Sequence, residues 1–207
     1  EYVLNLDSSE KQEAQNRKMT WAPRQQIVVG INTGCATLIP YKKMSIDLHR
    51  QLIEKLLEYE NLKVVLLGGR EDTQRNAQIA QGLSIVSSPT ENGIRDGLIS
   101  VEACDIVISG DSLGMHMAIA LKKYVVAWFG PTCPQEIDLY GRGTKVLAQV
   151  GCGPCWKRSC HNLVMCYDQV PIDQILSGVQ KGVRWISSSS KQHSSETFSS
   201  ASPFLGL

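Results

Sequence analysis

One stretch constrains the fold more than any other. An apolar run, Asp105-Ile-Val-Ile-Ser109, meets a small polar turn, Gly110-Asp111-Ser112. The turn enters an Ala-rich segment that ends at Leu121, and a second apolar run, Tyr124 to Phe129, closes on Gly130-Pro131-Thr132. Two buried strands joined through a helix pair in parallel, because only a long crossover returns the chain to the same edge. The start of that helix aims backbone N–H groups, Ser112 and His116 at one region of space. Such a region suits a phosphate or another anion.

The same alternation runs through the rest of the chain. Strands are predicted at 27–31, 64–67, 84–86, 105–109, 124–129 and 145–150. Helices are predicted at 45–57, 71–81, 94–104, 112–121 and 171–185. Ser45 caps the first of these, and Leu48, Leu52, Ile53, Leu56 and Leu57 give it one apolar stripe. The pattern predicts an α/β fold: a doubly wound, Rossmann-like parallel sheet covered on both faces. Ligands of such sheets lie beyond the carboxyl ends of the strands. The distinctive loops at 32–42, 68–72, 110–116 and 130–134 all fall there. Residues 1–24 are polar and helix-prone and read as a linker helix. Residues 25–186 form the α/β domain, and residues 187–207 read as a Ser-rich disordered tail.

Composition narrows the partners. The 207 residues carry a net charge of +1, which gives no electrostatic case for nucleic acid. No apolar stretch has the length of a transmembrane segment, and no secretory signal opens the chain. A sequence that begins at Glu1 is expected to be part of a longer protein. There is neither a Gly-x-Gly-x-x-Gly motif nor a Gly-Lys-Ser/Thr loop, which disfavours nicotinamide enzymes and P-loop ATPases. The seven cysteines are an odd count, and four cluster at Cys152, Cys155, Cys160 and Cys166. That clustering favours a reduced compartment. The spacing is near that of a compact structural zinc site. Free thiols, one local disulfide or a thiol-redox module are the other readings of the same four residues.

Each remaining motif has a plain reading beside a functional one. Asp111 or Ser112 is a helix cap, or with His116 binds an anion. Lys42 is a solvated loop lysine, or reaches a phosphate. Gly68-Gly69-Arg70-Glu71-Asp72 is a tight turn with first-turn acids, or a backbone approach whose carboxylate holds ribose hydroxyls.

In order along the chain, these segments resemble glycosyltransferase family 9, the ADP-heptose:lipopolysaccharide heptosyltransferase family, over roughly residues 20 to 186. The carrying segments are Asn32-Thr-Gly34-Cys-Ala, Lys42-Lys43-Met44-Ser45, Leu66 to Glu71, Cys104 to Leu121, Val126 to Thr132, and Cys152 onward. The resemblance implies the C-terminal, donor-binding half of a two-domain GT-B glycosyltransferase. It implies transfer of a heptose-like sugar from a nucleoside-diphosphate sugar, an ADP-sugar favoured, to lipopolysaccharide or another cell-envelope glycan. No cofactor is required for that transfer. The implied donor-binding residues are Thr33, Lys42, Glu71, Asp111, Ser112, Gly114 and His116. The catalytic base belongs to an N-terminal half, which is the implied partner. The implied location is the bacterial cytoplasm, peripheral at the inner face of the inner membrane. The chain departs from the family pattern at Met44-Ser45, where Trp-Pro is the rule. It departs again at Leu113, where Gly follows Asp-Ser/Thr. A leucine at a tight phosphate turn is expected to widen or block it, and so leaves open a binding relic that has lost catalysis.

Overall fold

The computed structural model describes residues 2–198, with side chains to Ser188. Six strands form one parallel sheet: β1 (Ile27–Asn32), β2 (Leu62–Leu67), β3 (Val86–Ser87), β4 (Ile106–Gly110), β5 (Tyr124–Phe129) and β6 (Gly143–Leu147). Their spatial order is 3-2-1-4-5-6. Every neighbouring pair is parallel. The order reverses between β1 and β4, which makes their carboxyl ends the switch point of the sheet.

Unbroken apolar runs are what a sheet buried on both faces demands, since successive side chains point to opposite layers. On β1, Val28 faces a layer formed by α1 (Ser8–Trp21), α4 (Gly93–Glu102) and α5 (Leu113–Ala120). Val29 and Ile31 face the other layer, formed by α2 (Ile46–Leu57), α3 (Thr73–Ala80) and α6 (Ile172–Phe198). Trp128 fills the second layer at 1% exposure. Helix α6 lies directly on β5. A Cβ on Gly182 would come within 2.7 Å of the Tyr124 ring, and one on Gly178 within 3.0 Å of Val126.

Helix α1 is polar on most of its surface, yet it docks on the domain. Asp7 and Glu10 form a reciprocal capping box at its start. Trp21 and Ala14 are buried against the first layer. The Arg17 guanidinium reaches Asp96 at 2.5 Å and Ser100 at 2.8 Å. Arg95 pairs with Glu10, and Lys18 pairs with Asp105 at 2.5 Å. Asp105 also accepts the Val28 amide at 2.9 Å, so one carboxylate ties α1 to the start of β1.

Several boundaries differ from the sequence expectation. The third strand is only Val86–Ser87, and β6 starts earlier than 145 because Gly143 and Thr144 pair with β5. The helix expected from Glu71 begins as a single tight turn, Arg70–Asp72, before α3. The last helix continues past Trp185 to Phe198, through serines whose composition suggests a stop. Positions 199–207 of the expected tail lie outside the described residues.

A polar seam runs beneath α2 and α3. His49 is fully buried, donates from Nδ1 to the Ser45 carbonyl at 2.9 Å, and lies 3.3 Å from Arg75. Burial pushes its pKa down from 6.5 to about 4. The unfolded chain therefore takes up a proton between pH 6.5 and 4 that the folded protein refuses. The His49 contribution is intact above pH 6.5 and declines as the pH falls to 4, by about 3 kcal/mol. Buried Asp72 works with the opposite sign, because its raised pKa favours the folded state at low pH. In urea titrations from pH 7 to 4, His49→Leu is expected to flatten the loss of stability relative to the parent protein. Equal slopes would contradict the buried, neutral imidazole.

Candidate functional site

At the carboxyl edge of the sheet a cavity of about 500 Å³ opens between the ends of β1, β2, β3 and β4. Asn32 ends β1 and sits in its wall. The Asn32 amide nitrogen donates to the Gly34 carbonyl at 3.0 Å, the Ser109 hydroxyl at 3.2 Å and the Ser112 hydroxyl at 2.9 Å. One side chain thus holds the β1 turn to the β4 turn across the switch point. Ser112 precedes α5 as its N-terminal flanking residue and is 7% exposed. Leu113 and Gly114, whose amides come too early in the helix to find an intrahelical acceptor, line the cavity beside it. Those amides and the helix dipole make that corner attractive to an anion.

Gly114 is where the backbone comes closest to this wall. A Cβ there would fall 2.6 Å from Cγ and Oδ1 of Asn32. Leu113 does not fill the turn. It stands 59% exposed at the lip. Across the cavity, the tight turn after β2 brings Glu71 back over Gly69, with Oε2 2.9 Å from where a Gly69 Cβ would be. Glu71, Ser112 and Gly114 therefore share one cavity, as the sequence suggests.

Lys42, Asp111 and His116 form a second group, adjoining through the Asp111-Ser112 peptide. Lys42 Nζ lies 3.5 Å from Asp111 Oδ2, and His116 Nε2 lies 3.8 Å from Asp111 Oδ1. Nδ1 of His116 is 3.2 Å from the Tyr2 hydroxyl, and the two rings are 5.6 Å apart. The Asp111 carboxylate is thus flanked by both basic side chains at the edge next to the helix start.

Two expected sets do not assemble. Thr33 is fully buried, and its hydroxyl donates to Asn76 at 2.5 Å. Strand alternation explains this: Asn32 faces the cavity, so Thr33 faces inward. The zinc expectation is also corrected. Among the described residues no group of three or more His, Cys, Asp or Glu side chains is placed to hold a metal ion. Cys152, Cys155, Cys160 and Cys166 are free thiols that line one small cavity without forming such a group. Cys152 accepts from Asn162 at 3.6 Å, and the Cys166 sulfur lies against Gly130. Asn32 itself, which organises the whole wall, is absent from the expected ligand set. Its signal is a polar amide closing an otherwise apolar strand. Ser88 and Thr90, which follow β3, also line the cavity.

A 3-2-1-4-5-6 parallel sheet with a cavity and a helix start at its switch point defines the Rossmann-like class of α/β folds. Within that class, the chain belongs to glycosyltransferase family 9 (heptosyltransferase), whose pattern matches residues 1–165. It is 30% identical over 94 residues to lipopolysaccharide heptosyltransferase 2 of Escherichia coli, covering 42% of this chain and 26% of the relative. It is 30% identical over 115 residues to lipopolysaccharide heptosyltransferase 1 of Pseudomonas aeruginosa, covering 54% and 32%. A family 9 glycosyl transferase from Veillonella parvula superposes with a TM-score of 0.67 at 15% identity, over 87% of this chain and 53% of that one. The E. coli heptosyltransferase WaaC with ADP gives 0.59 at 19%, over 82% and 48%. The chain thus spans about half the length of those solved relatives.

The Asn32–Gly114 contact yields a direct test. Gly114→Ala is expected to cost about 1–3 kcal/mol in urea unfolding, because the new methyl must push the Asn32 tip off its three acceptors. In an Asn32→Ala background the same change costs much less, a coupling readable in a double-mutant cycle. Additive costs would contradict the contact.

Proposed function

We propose that residues 25–186 are the donor-binding half of a GT-B glycosyltransferase. Its donor is a nucleoside-diphosphate sugar, with an ADP-sugar favoured and a heptose-like group transferred. The acceptor is lipopolysaccharide or a related cell-envelope glycan. The reading rests above all on the cavity at the switch point, with Ser112 and the α5 start on one wall and Glu71 on another. Family membership and ADP in one structural neighbour support it.

In this reading the diphosphate meets the first-turn amides of α5, the Ser112 hydroxyl and the Lys42 ammonium. Glu71 accepts from the ribose hydroxyls. Asp111 and His116 lie toward the sugar. The transition state builds negative charge on the departing diphosphate. Fixed amides and a lysine already in position stabilise that charge without waiting for solvent to reorganise. Asp111 keeps Lys42 and His116 oriented while the cleft is empty. The base that takes the acceptor proton comes from an N-terminal half that the solved relatives' greater length accommodates. No helix among the described residues is long and apolar enough to cross a membrane. We place the working enzyme in the cytoplasm, peripheral at the inner face of the inner membrane, where such an acceptor is made.

Titration calorimetry tests the proposal. The chain is expected to bind ADP or an ADP-sugar and to show no transferase turnover alone. Ser112→Ala and Lys42→Ala are each expected to weaken binding about tenfold, the effect of one charge-assisted hydrogen bond. A folded protein that binds neither ADP- nor UDP-sugars would sink the reading.

A further inference from the structure

The loop between β6 and α6 carries Cys152, Cys155, Cys160 and Cys166, and all four line one cavity of about 150 Å³ with Tyr41 and His161. Cys152 is exposed, and the other three are partly buried. Residues 151–165 include Lys157, Arg158 and His161 but no Asp or Glu. The loop braces two parts of the carboxyl edge. The amides of Cys155 and Trp156 both donate to the Pro131 carbonyl, at 3.0 and 2.8 Å. The Cys160 amide donates to the Tyr41 hydroxyl at 3.1 Å. Tyr41 stacks on Tyr167 with centroids 6.2 Å apart, and it directly precedes Lys42.

We propose that Cys152 and Cys155 are a thiol–disulfide exchange site for small anionic disulfides such as oxidised glutathione, and that closing their bridge weakens nucleotide binding. The second part rests on the donor-cleft reading; the first does not. The Cys152 thiolate attacks one sulfur of the glutathione disulfide. That S–S bond breaks, and one glutathione leaves as a thiolate that takes up the proton Cys152 gave to solvent. The Cys155 thiolate then attacks the Cys152 sulfur of the mixed disulfide, and the second glutathione leaves in the same way. Two protein thiols are oxidised to one disulfide, and one glutathione disulfide is reduced to two thiols.

Exposure selects Cys152 as the attacking group, and Lys157, which lines the same cavity, draws in an anionic reagent. Cys155, three residues on, is the nearest thiol in the chain. Burial pushes the Cys166 thiol up, away from reactivity. A bridge needs the two Cβ atoms about 4 Å apart. Closing the bridge constrains the segment from Cys152 to Cys155, whose Cys155 amide is bonded to the Pro131 carbonyl. The constrained loop then shifts the Cys160–Tyr41 bond and, through Tyr41, Lys42.

The test uses the full 207-residue chain, incubated with oxidised glutathione, then mapped by peptide mass spectrometry and titrated with ADP. Two thiols are expected to disappear, joined between Cys152 and Cys155, with no glutathione retained. Cys152→Ser takes up no reagent at this pair, Cys155→Ser keeps glutathione on Cys152, and Cys160→Ser behaves as the parent. The oxidised chain binds ADP at least about fivefold more weakly, and dithiothreitol restores it. An unchanged thiol count, a lasting adduct on the parent chain, or a bridge elsewhere overturns the site. A mapped bridge with unchanged ADP affinity overturns the coupling. Failure of the reduced chain to bind ADP counts against the donor reading, and the mapping still decides the exchange site.

Discussion

The carboxyl edge of this domain depends on one amide. Where the strand order reverses, β1 and β4 pair as far as Asn32 and Ser109 and then send their loops in opposite directions, leaving a gap between them. Asn32 closes it from one side with bonds to Gly34, Ser109 and Ser112. Without such a tie the turn before α5 would be free to choose other conformations, and the first amides of the helix would not face a fixed point. A site that stabilises developing charge needs donors already in place. In the proposed reading, that requirement accounts for the close fit of Gly114 against Asn32 beside an open cavity.

Around that tie the rest of the molecule acts as a set of braces. Helix α1 is held by buried Trp21 and Ala14 and by paired charges, with Arg17, Lys18 and Arg95 reaching Asp96, Asp105 and Glu10. Asp105 passes the restraint to β1 through the Val28 amide. On the opposite layer α6 sits close against β5. The cysteine loop leading into it fastens Pro131 and Tyr41, the neighbours of the cavity on its other flank. The sheet is therefore braced at both ends of its strands, by α1 through Asp105 at the start of β1 and by the cysteine loop at the carboxyl edge.

Much of this was legible from the residues, and the reason differs by element. β5 is apolar or aromatic throughout and β4 is apolar up to Ser109, so burial on both faces follows from composition. The Ser45 cap and the stripe on α2 leave little room for another reading, and Ser45 does accept the Leu48 amide. Glu71, Ser112 and Gly114 meet because parallel sheets deliver consecutive loops to one edge. What was hidden is whatever depends on partners distant in sequence. Thr33 is adjacent to Asn32 yet bonds Asn76, a choice fixed by which face of β1 it occupies. The cysteine spacing looked like a metal loop, but spacing does not report where sulfur atoms point. The docking of α1 rests in part on charge pairs with α4 that no periodicity reveals. The extension of α6 through its serines is set by continuation from a packed helix, against their local preference.

The central claim is that the switch-point cavity is where a nucleotide diphosphate binds. Backbone amide shifts during an ADP titration of isotope-labelled protein test it most directly. Shifts are expected to concentrate at residues 32–34, 68–72 and 110–116, with the amides of Leu113 and Gly114 among the largest. Shifts confined to the α2–α6 face, or spread evenly over the surface, would contradict the claim.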